Sequence, residues 1–76
     1  MAYLVVDEDG DEWISKELPL RVEGKTSYNE WGDEKYVPGY WTDYYEWESI
    51  IQLPWGSIFK LIGEKLSWHD EPRRFD

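Results

Sequence analysis

The run VVDEDGDEWI, residues 5–14, confines the start of this chain to a sharp reversal. Five acids fill six positions around Gly10, with AYLVV before them and Trp13-Ile14 after. Asp-Gly between two apolar runs is a strong hairpin signal, because both central turn residues need φ > 0. Strands over 2–6 and 13–16 are therefore expected. A calcium loop of the EF-hand kind needs Gly at its sixth position and a bidentate carboxylate at its twelfth. Counted from Asp7, those positions hold Glu12 and Leu18, so the motif fails and the turn is the reading. A two-residue Asp9-Gly10 loop would set Asp7 opposite Glu12 and Glu8 opposite Asp11. Like charges directly opposite destabilise a hairpin. Either the loop is wider, or a cation or a basic partner relieves the repulsion. Asp7, Glu8, Asp9, Asp11 and Glu12 are accordingly the first candidate contact surface.

With 76 residues there is room for one small domain, 1–76, whose core is marginal without help. No cysteine is present to staple it. Six Trp and six Tyr offer compensation, since each ring can bury roughly 150–250 Å². A core this small also makes a homodimer an expected supplement. The net charge of −9 disfavours direct contact with nucleic acid or anionic membrane and favours a basic protein partner. No apolar run approaches the ~20 residues of a membrane span. The N-terminus lacks the basic and apolar regions of a signal peptide, so a cytoplasmic location is expected.

Further along, residues 18–22 suit an edge strand, because Pro19 cannot serve a central one. Residues 23–35 are polar and Gly-bearing and read as a loop, with Tyr28 and Trp31 as its large groups. Residues 40–53 are β-prone and suit one or two strands. Pro54-Trp55-Gly56 ends that run, Ser57 reads as an N-cap, and Ile58, Leu61 and Ile62 share a helical face before Gly63 stops the helix. Residues 65–68 read as extended, and 69–76 as a flexible polar tail. The expected fold is α+β: one small antiparallel sheet of three to four strands with one short C-terminal helix across a face.

Catalytic chemistry finds little support. His69 stands without the further N or S donors of a zinc site. Ser67 and His69 lack the context of a nucleophile and its base, and no Gly-rich phosphate loop is present. No enzyme activity, metal or cofactor is expected. The series Tyr36, Tyr40, Trp41, Tyr44, Tyr45 and Trp47 is the second notable feature. On a strand, Tyr40, Thr42, Tyr44 and Glu46 would face one way, and Trp41, Asp43, Tyr45 and Trp47 the other. Rings and acids fall on both faces, so the rings read either as core or as an exposed binding patch. Asp43, Glu46 and Glu48 replace the cations that base stacking normally brings. Trp41, Tyr44, Tyr45 and Trp47 complete the candidate contact surface.

Two segments, YLVVDEDG at 3–10 and LPWGSIFKLIGEKLSWHDEP at 53–72, resemble small proteins of tailed phages and prophages. The shared C-terminal pattern is LP-x-G-[ST]-I-x-K-L-I-G-x-x-L-[ST]-W-x-D-E-P. The resemblance covers both ends of the chain and leaves out 24–45. It implies origin more than activity, since that group brings no catalytic residues to carry across. The expectation is a non-enzymatic, phage-encoded interaction module binding a host or phage protein. The alternative is an acidic DNA mimic that inhibits a nucleic-acid-binding host enzyme.

Overall fold

The computed structural model describes residues 1–43 and 49–76. Strand β1 (Ala2–Val6) pairs antiparallel with β2 (Glu12–Ser15), from Tyr3↔Ser15 to Val6↔Glu12. Residues 7–11 therefore make a loop wider than two residues. Asp7 N–H donates to the Asp11 carbonyl at 2.8 Å, and Gly10 takes φ 98. The wide loop moves Glu12 opposite Val6, but it sets Asp7 opposite Asp11, so two acids still face each other across it.

Chain alternation then decides what each face of this pair does. Leu4, Val6 and Ile14 point to one side, and Val5, Trp13 and Ser15 to the other. Both sides are covered, which is why β1 reads as an unbroken apolar run.

The next six elements are β3 (Leu20–Val22), β4 (Lys25–Tyr28), β5 (Glu34–Val37), β6 (Tyr40–Thr42), β7 (Ile50–Leu53) and α1 (Ser57–Ile62). The last is β8 (Arg73–Phe75). The described strands form a four-stranded sheet, β7-β2-β1-β8, and two ribbons, β3-β6 and β4-β5. The single small sheet expected from the sequence is thus several sheets, all antiparallel, with one short helix. Residues 73–75, read as part of a polar tail, pair with β1 from Ala2↔Phe75 to Leu4↔Arg73. Only Phe75 of that strand turns toward the core, so its sequence carries almost no apolar signal.

Helix α1 is too short to stand alone. It is held by Ile58, 2% exposed, which packs with Leu4 and Val6, while Ile62 and Leu66 flank them. Leu61, expected on that face, is exposed. Gly63 ends the helix at φ 73, with its N–H on the Phe59 carbonyl at 2.8 Å. Gly56, at φ 91, takes the N-cap position expected of Ser57.

On the opposite face, Val5 packs with Trp41, Ile50 and Trp68. The Trp41 and Trp68 rings meet edge-on, 5.8 Å apart at 66°. Arg21 places its guanidinium 4.6 Å from both ring centres. It also donates to the Trp68 carbonyl at 2.7 Å and the Asp70 carbonyl at 3.1 Å. A cation over two indoles is favoured by their ring quadrupoles, and the same group ties β3 to the C-terminal segment.

Strands β3 through β6 form one hairpin in two pieces. Leu20↔Thr42 and Lys25↔Val37 belong to the same register, five residues up one strand and five down the other. The interruption falls at Gly24 opposite Pro38, whose missing N–H cannot join a ladder. Inside the break, Trp41 is buried; outside it, every residue of β4 and β5 is exposed. The outer piece is an arm projecting from the body, on a molecule 48 Å long and 25 by 19 Å across. It replaces the loop expected over 23–35.

Arg21→Lys keeps the charge but loses the planar contact with both rings and the two-pronged donation. We expect a loss of about 1–3 kcal/mol, measured by urea unfolding followed through Trp fluorescence. Unchanged stability would mean that Arg21 does not close this core.

Candidate functional site

The acidic turn is engaged from within. Asp7 follows Val6, so its side chain turns to the Val5 side of the sheet. It is buried, 6% exposed, and accepts from the Trp13 indole Nε1 at 2.8 Å and the Trp41 N–H at 2.9 Å. Burial raises the Asp7 pKa; the bonds from Trp41 and Trp13 oppose that rise, and the charges of Asp9 and Asp11 add to it. Glu12 lies on the Ile14 side, facing the helix. Its two oxygens accept the Gly56 N–H at 2.6 Å and the Ile58 N–H at 2.8 Å. Those are among the N-terminal donors that a helix leaves unpaired, so β2 caps α1 from outside the helix. Asp11 accepts the Trp55 indole at 3.0 Å, and Asp9 accepts the Asp11 N–H at 3.1 Å.

Glu8 locks the arm to the body. Its Oε1 accepts the Tyr36 hydroxyl at 2.5 Å and the Gly39 N–H at 2.8 Å. The Gly39 bond, then the Tyr36 bond, lowers the Glu8 pKa; burial opposes this, and the nearby His69 charge adds to the lowering. The same bond raises the Tyr36 pKa. A side chain at Gly24 would collide with the Tyr36 hydroxyl and the Glu8 carboxylate, and one at Gly39 with the Trp68 ring. The base of the arm closes this tightly only because both positions are glycine.

Asp7, Asp9 and Asp11 each bring one carboxylate oxygen within 4.8 Å of the others. All three carboxylates already hold N–H donors, one from Asp11 within the loop and the others from Trp13, Trp41 and Trp55 outside it. Beside them a cleft of about 710 Å³ opens between the turn, the start of α1 and residues 65–69. Val6, Ile58, Leu66 and Trp68 line it, together with Glu8, Lys65 and His69.

Of the sequence-derived contact residues, Asp7 and Trp41 are buried and cannot form an outer surface; Trp41 belongs to the core. Glu8 and Asp9 are exposed, and Asp11 and Glu12 half-buried. Tyr44, Tyr45 and Trp47 lie outside the described residues.

The rings that stand in the open are elsewhere. Trp31 is 80% exposed at the arm's tip, with Tyr28 at 66% and Tyr36 at 52% along it. Asn29 shapes that tip, its Oδ1 accepting the Trp31 and Asp33 N–H groups, both at 2.9 Å. Gly32 at φ 83 completes a three-residue hairpin loop. Asn29-x-x-Gly32 marks the turn in the sequence, but it fits a loop as well as a hairpin and does not by itself reveal the arm. A second exposed group, Trp55 and Phe59, borders α1.

No family model matches this chain, and neither a curated protein nor a solved structure matches it. Among the described residues no helix is long and apolar enough to cross a membrane.

Glu12→Ala removes both acceptors at the helix start. A loss of about 1–2 kcal/mol is expected, together with faster hydrogen exchange at the Ile58 amide; an unchanged exchange rate would contradict the capping role.

Glu8 gives a pH signature. Its folded pKa lies below 4.5, the ordinary glutamate value. Its contribution is therefore present above 4.5 and lost as the pH falls through the lowered value. Asp7, with its pKa raised, runs the opposite way: stability is favoured below its ordinary value and lost as the group ionises. Unfolding curves taken from neutral into acid should show a loss of stability that shrinks in Glu8→Ala. An identical acid response in both proteins would remove Glu8 as the lock.

Proposed function

We propose that this chain is a non-enzymatic, phage-encoded interaction module that binds a host or phage protein through its ring-bearing arm. The observation that carries the reading is Trp31, 80% exposed at the end of a hairpin that also presents Tyr28 and Tyr36 in the open. Trp and Tyr dominate the binding energy of protein interfaces, and they do so by filling partner pockets at low entropic cost. A hairpin fixes their spacing before the partner arrives, which lowers the ordering cost of association. The net charge of −9 favours a basic partner and faster encounter with it. Phage origin rests on the resemblance of residues 3–10 and 53–72.

A DNA mimic requires carboxylates free to stand in for phosphates. Asp7, Glu8, Asp11 and Glu12 accept bonds from the chain's own indole, hydroxyl and amide groups, which weighs toward the protein-binding reading.

A tagged pull-down from host lysate, washed at low and high salt with and without competing DNA, tests this. The expected partner survives high salt, ignores DNA and is captured at least about 30-fold more weakly by Trp31→Ala. A partner competed off by DNA and indifferent to Trp31→Ala would overturn the reading in favour of the mimic.

A further inference from the structure

We infer that two copies of this chain associate edge to edge through β4, with Ser27 of one arm facing Ser27 of the other across a two-fold axis. This goes beyond the function proposed above and holds whatever partner the rings engage.

A two-stranded hairpin exposed on both faces is marginal in water, and three or more strands are needed for independent stability. The arm meets that description, since every residue of β4 and β5 is exposed. Open edges are normally guarded by charge and proline. Among the described residues, β8 carries Arg73 and Arg74 after Pro72, β7 runs into Pro54, and β5 carries Glu34 and Lys35 before Pro38. Strand β4, Lys-Thr-Ser-Tyr, has one charge, at its start, and no proline.

The hydrogen-bond phase of the arm fixes what its edge presents. Asn29 N–H donates to the Asp33 carbonyl at 3.1 Å, in the register of the strands. Bonded and non-bonded pairs alternate along an antiparallel ladder. Ser27↔Lys35 is then a bonded pair, and the N–H and C=O groups of Thr26 and Tyr28 point outward.

A second β4 laid antiparallel on that edge satisfies all of them. Thr26 exchanges bonds with Tyr28 of the other copy, Ser27 faces Ser27, and Lys25 faces Asn29. No like charges meet, and the product is a four-stranded sheet ordered β5-β4-β4-β5. The same operation on β5 about Lys35 would set lysine against lysine. Net charge agrees with this choice. Residues 25–37 hold two lysines against three acids, so nearly all of the −9 stays on the bodies, which the arms hold apart.

Sedimentation equilibrium of the full chain over a wide concentration range tests this. Wild type is expected to show a monomer–dimer transition. Ser27→Glu faces Lys35 within its own arm, so the hairpin keeps a favourable pair. Across the axis it sets two carboxylates together and should weaken self-association roughly five- to tenfold. Ser27→Lys, which also faces Lys35 within its own arm, should weaken it at least as much, and an equal mixture of the two variants should regain dimer mass. A wild type that stays monomeric to about millimolar concentration overturns the inference, as does a Ser27→Glu chain with unchanged association or a mixture that gains nothing. Trp31→Ala should leave the dimer intact, which separates this result from a failure of the partner-binding reading.

Discussion

Carboxylates bonded to neutral donors hold this molecule together. Asp7, Glu8, Asp11 and Glu12 leave one short segment and take donors from β6, the arm, the β7–α1 junction and the start of α1. Bonds to an ionised acceptor are stronger than neutral ones, so a few of them can anchor segments that bury little apolar area. None of the ion pairs among the described residues, Arg73–Glu64 and Arg74–Asp76, reaches the turn. The turn's acids are satisfied instead by indole, hydroxyl and backbone donors. The repulsion is eased only in part: Glu12 turns to the helix side of the sheet, while Asp7, Asp9 and Asp11 stay within 4.8 Å of one another and are held by their N–H donors. Two indoles, Trp13 and Trp55, serve this arrangement, since an indole N–H is a donor that carries its own apolar packing surface.

Where apolar patterning and turn chemistry coincide, the sequence was readable. Ala2–Val6 is the strand expected, β2 differs by one residue at each end, and the helix ends at Gly63 as its left-handed stop requires. Residues 25–28 and 34–37 gave no such signal, because a strand exposed on both faces has no hydrophobic period to display. Residues 73–75 failed for a related reason: both arginines are exposed, only Phe75 packs against the core, and one residue makes no pattern. The N-cap was missed because Ser57 is a good cap by type, whereas the acceptors come from Glu12, distant in sequence and brought near only by the sheet.

The site was legible in kind rather than in place. The acidic turn was picked out by composition, yet what its carboxylates bind is internal, and no local count shows that Glu8 will meet Tyr36 across the fold. Exposed rings were expected, but the pattern from 40 to 47 put rings and acids on both faces and could not say which would be buried. Trp41 is core because Trp68 and Arg21 arrive from elsewhere to cover it. Tyr28 and Trp31 stood in a segment read as loop, and the turn residues Asn29 and Gly32 that organise them serve equally well in a loop or a hairpin.

The break at Gly24 and Pro38 divides one continuous register into an inner piece read by the core and an outer piece that the core does not read. Within the inner piece, a slip of one residue would turn Trp41 away from Val5 and Trp68. Beyond the Thr26–Tyr36 pair, adding or removing two facing residues on each strand moves the tip outward or inward by about 7 Å, keeps every side chain on its face and alters no buried contact. The reach of Trp31 is in that sense an adjustable length. It can change while the body, and the conditions for folding it, stay the same.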